Sequence, residues 1–252
     1  MDDTFVITAA SSGEVDASEL WRAHGEGADG WRDVNKWTQE LPERITEVAG
    51  QALTDVAAGD AGDVSCVIGS VYGSGHVAET IRARLDSGAR SSLAPESFLY
   101  FNAHGVTSLI CLRHRLRGHC ATLLGAGAGL QALAVGQRRL RIAPDVPVLC
   151  GAYELLSPAA ARACGSEHLP GWAAFVALES AARARRRGAR VLARLDAVEK
   201  CPPSEARSAD VRATAPLAGL VSALTGDGGE PSVTVAAAGS RHGYRCTAHK
   251  EG

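Results

Sequence analysis

Apolar, β-branched runs bounded by Gly or Asp recur along the chain at residues 4–10, 64–71, 120–124 and 146–151, and they predict buried strands. Segments with helical spacing lie between several of them, the alternation expected of an α/β protein with a mostly parallel buried sheet. The first predicted helix, over residues 37–58, sets Leu41, Ile45, Val48, Leu53 and Val56 on one stripe and its acidic residues elsewhere, so that it can cover one sheet face.

A second amphipathic helix starts at Leu130 and ends in Arg138, Arg139 and Arg141, which suit the negative end of a helix dipole. The strand 146–152 follows at once. Residues 171–178 read as another buried strand, followed by an Arg-rich helix over 180–187, Gly188 as its stop, and a further strand over 190–198. The arginine run is read as a solvated helix face. Residues 200–210, with Pro202 and Pro203, predict a surface loop within a shortened stretch at 199–215. A closing unit at 216–252 then holds a short helix, 216–224, and a hairpin through 233–238 and 244–249. With no internal repeat and no low-complexity tract, residues 1–252 are expected to form a single domain.

Composition narrows the class. A chain of 252 residues with 46% apolar content can fill a core, which argues against disorder and against a disulfide-stapled miniprotein. A net charge of -2 gives no reason to expect nucleic acid or membrane, so the expected partners are small molecules or proteins. The seven cysteines are scattered without a Cys-x-x-Cys pair, the pattern of reduced thiols in a cytoplasmic protein. The acidic start Met1-Asp2-Asp3-Thr4 is unlike a signal peptide, and no apolar run reaches the roughly 18 residues needed to span a bilayer. No His/Cys/Asp/Glu set shows metal-ligand spacing, and no cofactor is expected.

Three local patterns invite chemistry and are set aside. Gly125-Ala126-Gly127-Ala128-Gly129 lacks the dinucleotide fingerprint, because position 130 is Leu and the next strand reaches Cys150-Gly151-Ala152 without a ribose-binding acid. Gly73-Ser74-Gly75-His76 has no Gly-x-Ser-x-Gly elbow, and Ser74 is expected to cap a helix. Cys111 and Cys120 lie in apolar runs, where cysteine packs as a small hydrophobe.

Residues 116–133, LRGHCATLLGAGAGLQAL, spell a Leu-Arg-Gly turn, an apolar strand, a small-residue elbow and a helix opening Gly-Leu-Gln-Ala-Leu. This segment resembles the ketosynthases of the thiolase-like superfamily. In that family the elbow carries a nucleophilic cysteine whose thiol pKa is lowered by the helix N-terminus. The resemblance extends to 145–154 (DVPVLCGAYE) and 171–198, and it is strongest from 60 to 198. The stretch 97–104 (SFLYFNAH) falls where chain-length factors have aromatic residues lining the tunnel.

Two departures from the family matter more than the matches. Counting back from Gly129 and Leu130 puts the nucleophile position at Ala126, and counting forward from Arg117 and Gly118 puts it at Gly127; neither side chain can attack a thioester. None of the eight histidines sits in the family's two second-half histidine motifs. The resemblance therefore implies a truncated ketosynthase fold, a thiolase-like half with α-β-α layers around a mixed sheet. It implies a non-catalytic chain-length factor of a type II polyketide system, including the highly reducing polyene kind. Its partners would be a full-length ketosynthase, forming a heterodimer, and an acyl carrier protein bearing the growing acyl chain. Phe98, Tyr100, Phe101, His104 and Thr107 would line or gate the tunnel, and His119, Cys120, Ala121, Thr122, Leu123 and Leu124 would form the dimer contact. The alternatives are a stand-alone acyl-thioester-processing enzyme, such as a decarboxylase or acyltransferase, and a purely structural stabiliser of the ketosynthase.

Overall fold

Every residue of β2 (Ser65–Ser70) and β4 (Val148–Glu154) is buried, as strands covered on both faces require. In this computed structural model they form the middle of a nine-stranded sheet with β1 (Phe5–Val15), β3 (Cys120–Leu124), β5 (Gly171–Ser180), β6 (Ala193–Leu195), β7 (Glu199–Cys201), β8 (Ser232–Ala238) and β9 (Gly243–Lys250). The structure describes residues 4–16, 34–54, 56, 63–88, 90–93, 95–163, 165, 171–206, 212–226, 230–239 and 241–251. The end of the first predicted helix, the end of the 200–210 loop, His24, Cys164 and His168 lie outside the described residues.

The strand order is β3-β2-β4-β5-β1-β6-β9-β7, with β8 on the other side of β9. Among the described residues only the β2–β3 and β2–β4 pairings are parallel, which corrects the expectation of a mostly parallel sheet. The parallel block is the part whose connections carry helices over a face: α2 (Gly75–Asp86) and α3 (Gly105–Arg113) between β2 and β3, and α4 (Ala128–Ile142) between β3 and β4. Beyond β4 the remaining pairings are antiparallel, an arrangement that needs no such crossover.

Two cores result, one on each face. Leu130, Leu133 and Leu140 of α4 and Leu217 and Leu220 of α7 (Thr214–Thr225) pack on Val148, Cys150, Val176 and Leu178. On the other face, Leu41 and Ile45 of α1 (Val34–Leu53) and Ile110 of α3 pack on Cys66, Ile68, Leu149, Tyr153 and Phe175. Residues 148 and 150 thus face one layer and 149 and 153 the other, the two-residue period of a strand. The architecture is α/β, with α-β-α layers around a mixed sheet, as the sequence led us to expect.

The predicted strand 190–198 is shorter in the structure, because the chain breaks between β6 and β7 to pair with two successive stretches of β9. Buried Gln137 of α4 holds the break, donating to the Asp196 carbonyl at 2.7 Å and accepting from the Val198 N–H at 3.0 Å. The 200–210 segment likewise begins as strand and a 3-10 turn, Pro203–Ala206. α5 (Pro158–Ala163) and the Arg-rich α6 (Ala181–Arg186) are short, and Gly188 ends the latter with φ +67°.

The arginine run is not only a solvated face. Glu179, with a fully buried side chain, accepts from Thr8 Oγ1 at 2.6 Å and from Arg187 Nη2 at 2.5 Å, and it is also paired with Arg183. Burial pushes its carboxyl up, but the bonds from Arg187 and Thr8 and the charges of Arg183 and Arg187 outweigh that and hold it below the usual range. A lowered folded-state pKa means that its stabilisation is present above the ordinary carboxylate pKa and is lost as pH falls through the folded value. Glu179→Gln is expected to lower stability at pH 7 by about 3 kcal/mol, because it removes the buried negative charge that Arg183 and Arg187 share. In denaturant titrations the difference from wild type should shrink in acid.

Candidate functional site

The elbow is built entirely from small residues. After β3, Gly125 adopts φ +108° and Gly127 φ +76°, and α4 starts at Ala128. The Gly125 N–H donates to the Ser70 carbonyl at 2.9 Å, tying the turn to the end of β2. Of the two candidate nucleophile positions, Ala126 is exposed on the turn and Gly127 is buried. A Cβ at 127 would lie 3.0 Å from the Tyr244 ring on a left-handed backbone. A side chain at Gly129 would lie 2.2 Å from the Ala213 carbonyl, so α4 meets the entry to α7 backbone against backbone. The elbow keeps the shape of a strand-turn-helix site but presents no thiol, hydroxyl or amine.

Beside the elbow, β3 is an edge strand among the described residues, paired there with β2 alone. Residues 120–123 are half-buried, while the Leu124 side chain is 57% exposed. Phe98, Leu99 (68%), Phe101 and Leu112 (76%) are exposed in the 3-10 turn Pro95–Phe98, the segment after it, and α3, whose N-cap His104 bonds Thr122 of β3. A cavity of about 250 Å³ opens there, lined by Leu99, Tyr100, Asn102, His104, Gly105, Ser108, Leu109 and Leu112.

The residues singled out in the sequence occupy distinct places. Tyr100 and His104 line the cavity. Phe98 and Phe101 are exposed outside its lining, and Thr107 is fully buried between α3 and β3, its hydroxyl 2.7 Å from that of Thr122. His119 is exposed just before β3, and its carbonyl accepts from the Cys66 N–H at 2.7 Å. Ser74 stands at the N-cap of α2, but its hydroxyl makes no capping bond and instead donates to the Phe101 carbonyl at 2.5 Å. It thereby joins the segment after β2 to the aromatic stretch.

Two features escaped the sequence reading. Ser108, Leu109 and Leu112 line the cavity; their spacing in α3, offset from buried Val106 and Ile110, was the available signal. Glu154, behind the elbow, was read only as the end of the 145–154 stretch that carries the family resemblance, with no role assigned. Its Oε1 accepts from Ser70 Oγ, from the Val71 N–H at 2.7 Å and from the Tyr72 N–H at 3.4 Å, while Oε2 is buried with no hydrogen-bond partner among the described residues. Burial raises its pKa to about 7, although those bonds and the charge of Arg212 act the other way. Among the described residues, no group of three or more His, Cys, Asp or Glu is placed to hold a metal ion, and no helix is long and apolar enough to cross a membrane.

No protein-family model and no curated protein sequence matches the chain. Solved structures do. One is a type II polyketide synthase acyl-carrier protein in complex with its ketosynthase bound to the hexaketide (AntDE:AntF), with TM-score 0.75, 13% identity, and 100% of each chain covered. The chain shares the ketosynthase fold. The ishigamide ketosynthase/chain length factor superposes with TM-score 0.72 at 14% identity, covering 99% of this chain and 100% of that one. A beta-ketoacyl synthase from Burkholderia phymatum STM815 gives 0.71 at 13%, with the same coverage.

A raised carboxylate pKa reverses the usual acid dependence. Between about pH 4.5 and 7 the folded state holds a proton on Glu154 that the unfolded state releases, so its contribution to stability falls as pH rises through that window, by about 3 kcal/mol in total. Glu154→Gln keeps an oxygen for Ser70 and Val71 and cannot ionise. Thermal melts from pH 4.5 to 8 should show the variant gaining on wild type toward the alkaline end.

Proposed function

We propose that this chain is a non-catalytic, chain-length-factor-like subunit that pairs through β3 with an active ketosynthase and shapes the tunnel receiving the growing acyl chain. The observation that carries this reading is an apolar strand at an open sheet edge, directly joined to an elbow without a nucleophile. Unpaired edge backbone beside exposed Leu112 and Leu124 is satisfied by addition of a partner strand. The end-to-end likeness to structures that include a ketosynthase/chain length factor and a carrier-protein complex supports the choice of partners. The partner would contribute the cysteine and histidines, and the acyl carrier protein would deliver the chain. The α3 cavity, apolar apart from Asn102, His104 and Ser108, would close the far end of the tunnel.

Co-expression with an active ketosynthase, followed by size-exclusion chromatography and a carrier-protein elongation assay, tests this reading. A one-to-one complex is expected, with activity that needs both chains and disappears when the partner's cysteine is replaced. A lone chain that elongates or decarboxylates acyl thioesters would overturn it. Leu124→Lys should leave the chain folded and weaken the complex at least tenfold, since a charge on the edge opposes strand pairing. Ser108→Phe should fill the cavity and shorten the products seen by mass spectrometry, with the complex intact. If neither Ser108→Phe nor Phe101→Ala changes product length in an intact complex, the subunit only stabilises its partner.

A further inference from the structure

At the open edge strand the structure gathers three thiols and an imidazole, and the proposed function makes no use of their redox chemistry. Cys66 and Cys120 are register partners on β2 and β3, and Cys111 reaches down from the last turn of α3. The Cys111 thiol donates to Cys120 Sγ at 3.4 Å, and Cys66 interacts with Cys111 in turn. Cys120 Sγ lies 3.6 Å from His104 Nε2, and the Nδ1 of that ring is 2.7 Å from the Thr122 hydroxyl. The imidazole is thus held by one nitrogen with the other at a thiol. Cys111 and Cys120 are both half-buried, within reach of a small reagent, whereas Cys66 is fully buried.

We propose that Cys111 and Cys120 form a reversible intrachain disulfide whose oxidant is a low-molecular-weight disulfide of the glutathione class. His104 Nε2 takes the Cys120 thiol proton, and the thiolate attacks one sulfur of the small disulfide. The S–S bond of the reagent breaks, and the first small thiol leaves with that proton. Cys111 then attacks Cys120 Sγ in the mixed disulfide and expels the second small thiol, which takes the Cys111 proton. Two S–H bonds are lost and one S–S bond forms, while the oxidant gains two electrons and two protons. The sulfurs must close from 3.4 Å to about 2.05 Å.

The bond would fasten the end of α3, which walls the cavity, to the first residue of the edge strand. It goes beyond the docking reading, and its test needs no partner. The environment also sets the rate. The bond to Cys120 lowers the Cys111 thiol, but Cys66 and burial outweigh it and push it up to about 12; Cys111 and burial raise Cys120 as well. Exchange is therefore slow at neutral pH and accelerates as pH rises.

The full chain is incubated in glutathione/glutathione-disulfide buffers at pH 7 and 8.5, quenched in acid, alkylated, and read by intact mass and peptide mapping. The expected result is one internal bond linking the peptides of Cys111 and Cys120, reversed by dithiothreitol and formed several-fold faster at pH 8.5. Cys66→Ser should retain the bond. Cys111→Ser should stop at the glutathione adduct on Cys120, and His104→Gln should slow formation with the same end point. A bond to Cys66, a glutathione adduct that persists in wild type, or thiols that stay reduced in glutathione disulfide without glutathione would each overturn the proposal.

Discussion

An apolar strand that, among the described residues, pairs on one side only is the constraint around which this molecule is arranged. β3 closes a βαβ unit with β2 and β4, and α3 and α4 cover its two faces, yet among the described residues no strand pairs with its outer edge. Buried backbone groups need partners, and an exposed apolar edge invites them. α3 lies against the same strand, and its Leu112 and the Leu99 before it are exposed.

The elbow is a strand-turn-helix bend without a nucleophilic side chain. Its geometry rests on backbone contacts rather than on a catalytic side chain. The turn is bonded to the Ser70 carbonyl, and α4 packs so closely on the entry to α7 that only glycine fits at 129. With Gly127 in a left-handed conformation beside Tyr244, a small residue is also the one the packing accepts there. Architecture and chemistry are separable because the first is carried by the main chain.

Buried polar groups do the fastening elsewhere. Glu179 gathers Thr8, Arg183 and Arg187 at the end of β5, Gln137 holds the break between β6 and β7, and Glu154 holds the turn after β2 from behind the elbow. Each serves backbone or charge that would otherwise be unsatisfied, and each is costly to remove for that reason.

Much of this was legible in one dimension. Period-two and period-3.6 patterns located the strands at 120–124 and 171–178 and the helices over 130–141 and 180–187, because burial on one or two faces is written directly into side-chain polarity. The strand, turn and helix of 116–133 were likewise readable, since they depend on residues adjacent in the chain. Strand direction and order were not, because β4, β5 and β1 are joined by contacts between distant residues that no local pattern encodes. The same holds for the Cys111–Cys120–His104 cluster, which reads as three residues in apolar or aromatic surroundings until α3 is laid across β3. The sequence by itself determined what each segment must bury and which chemistry the elbow lacks. Only the tertiary structure decided which edge is left open and which side chains meet beneath it, because edges and contacts belong to the arrangement of segments and not to any one of them.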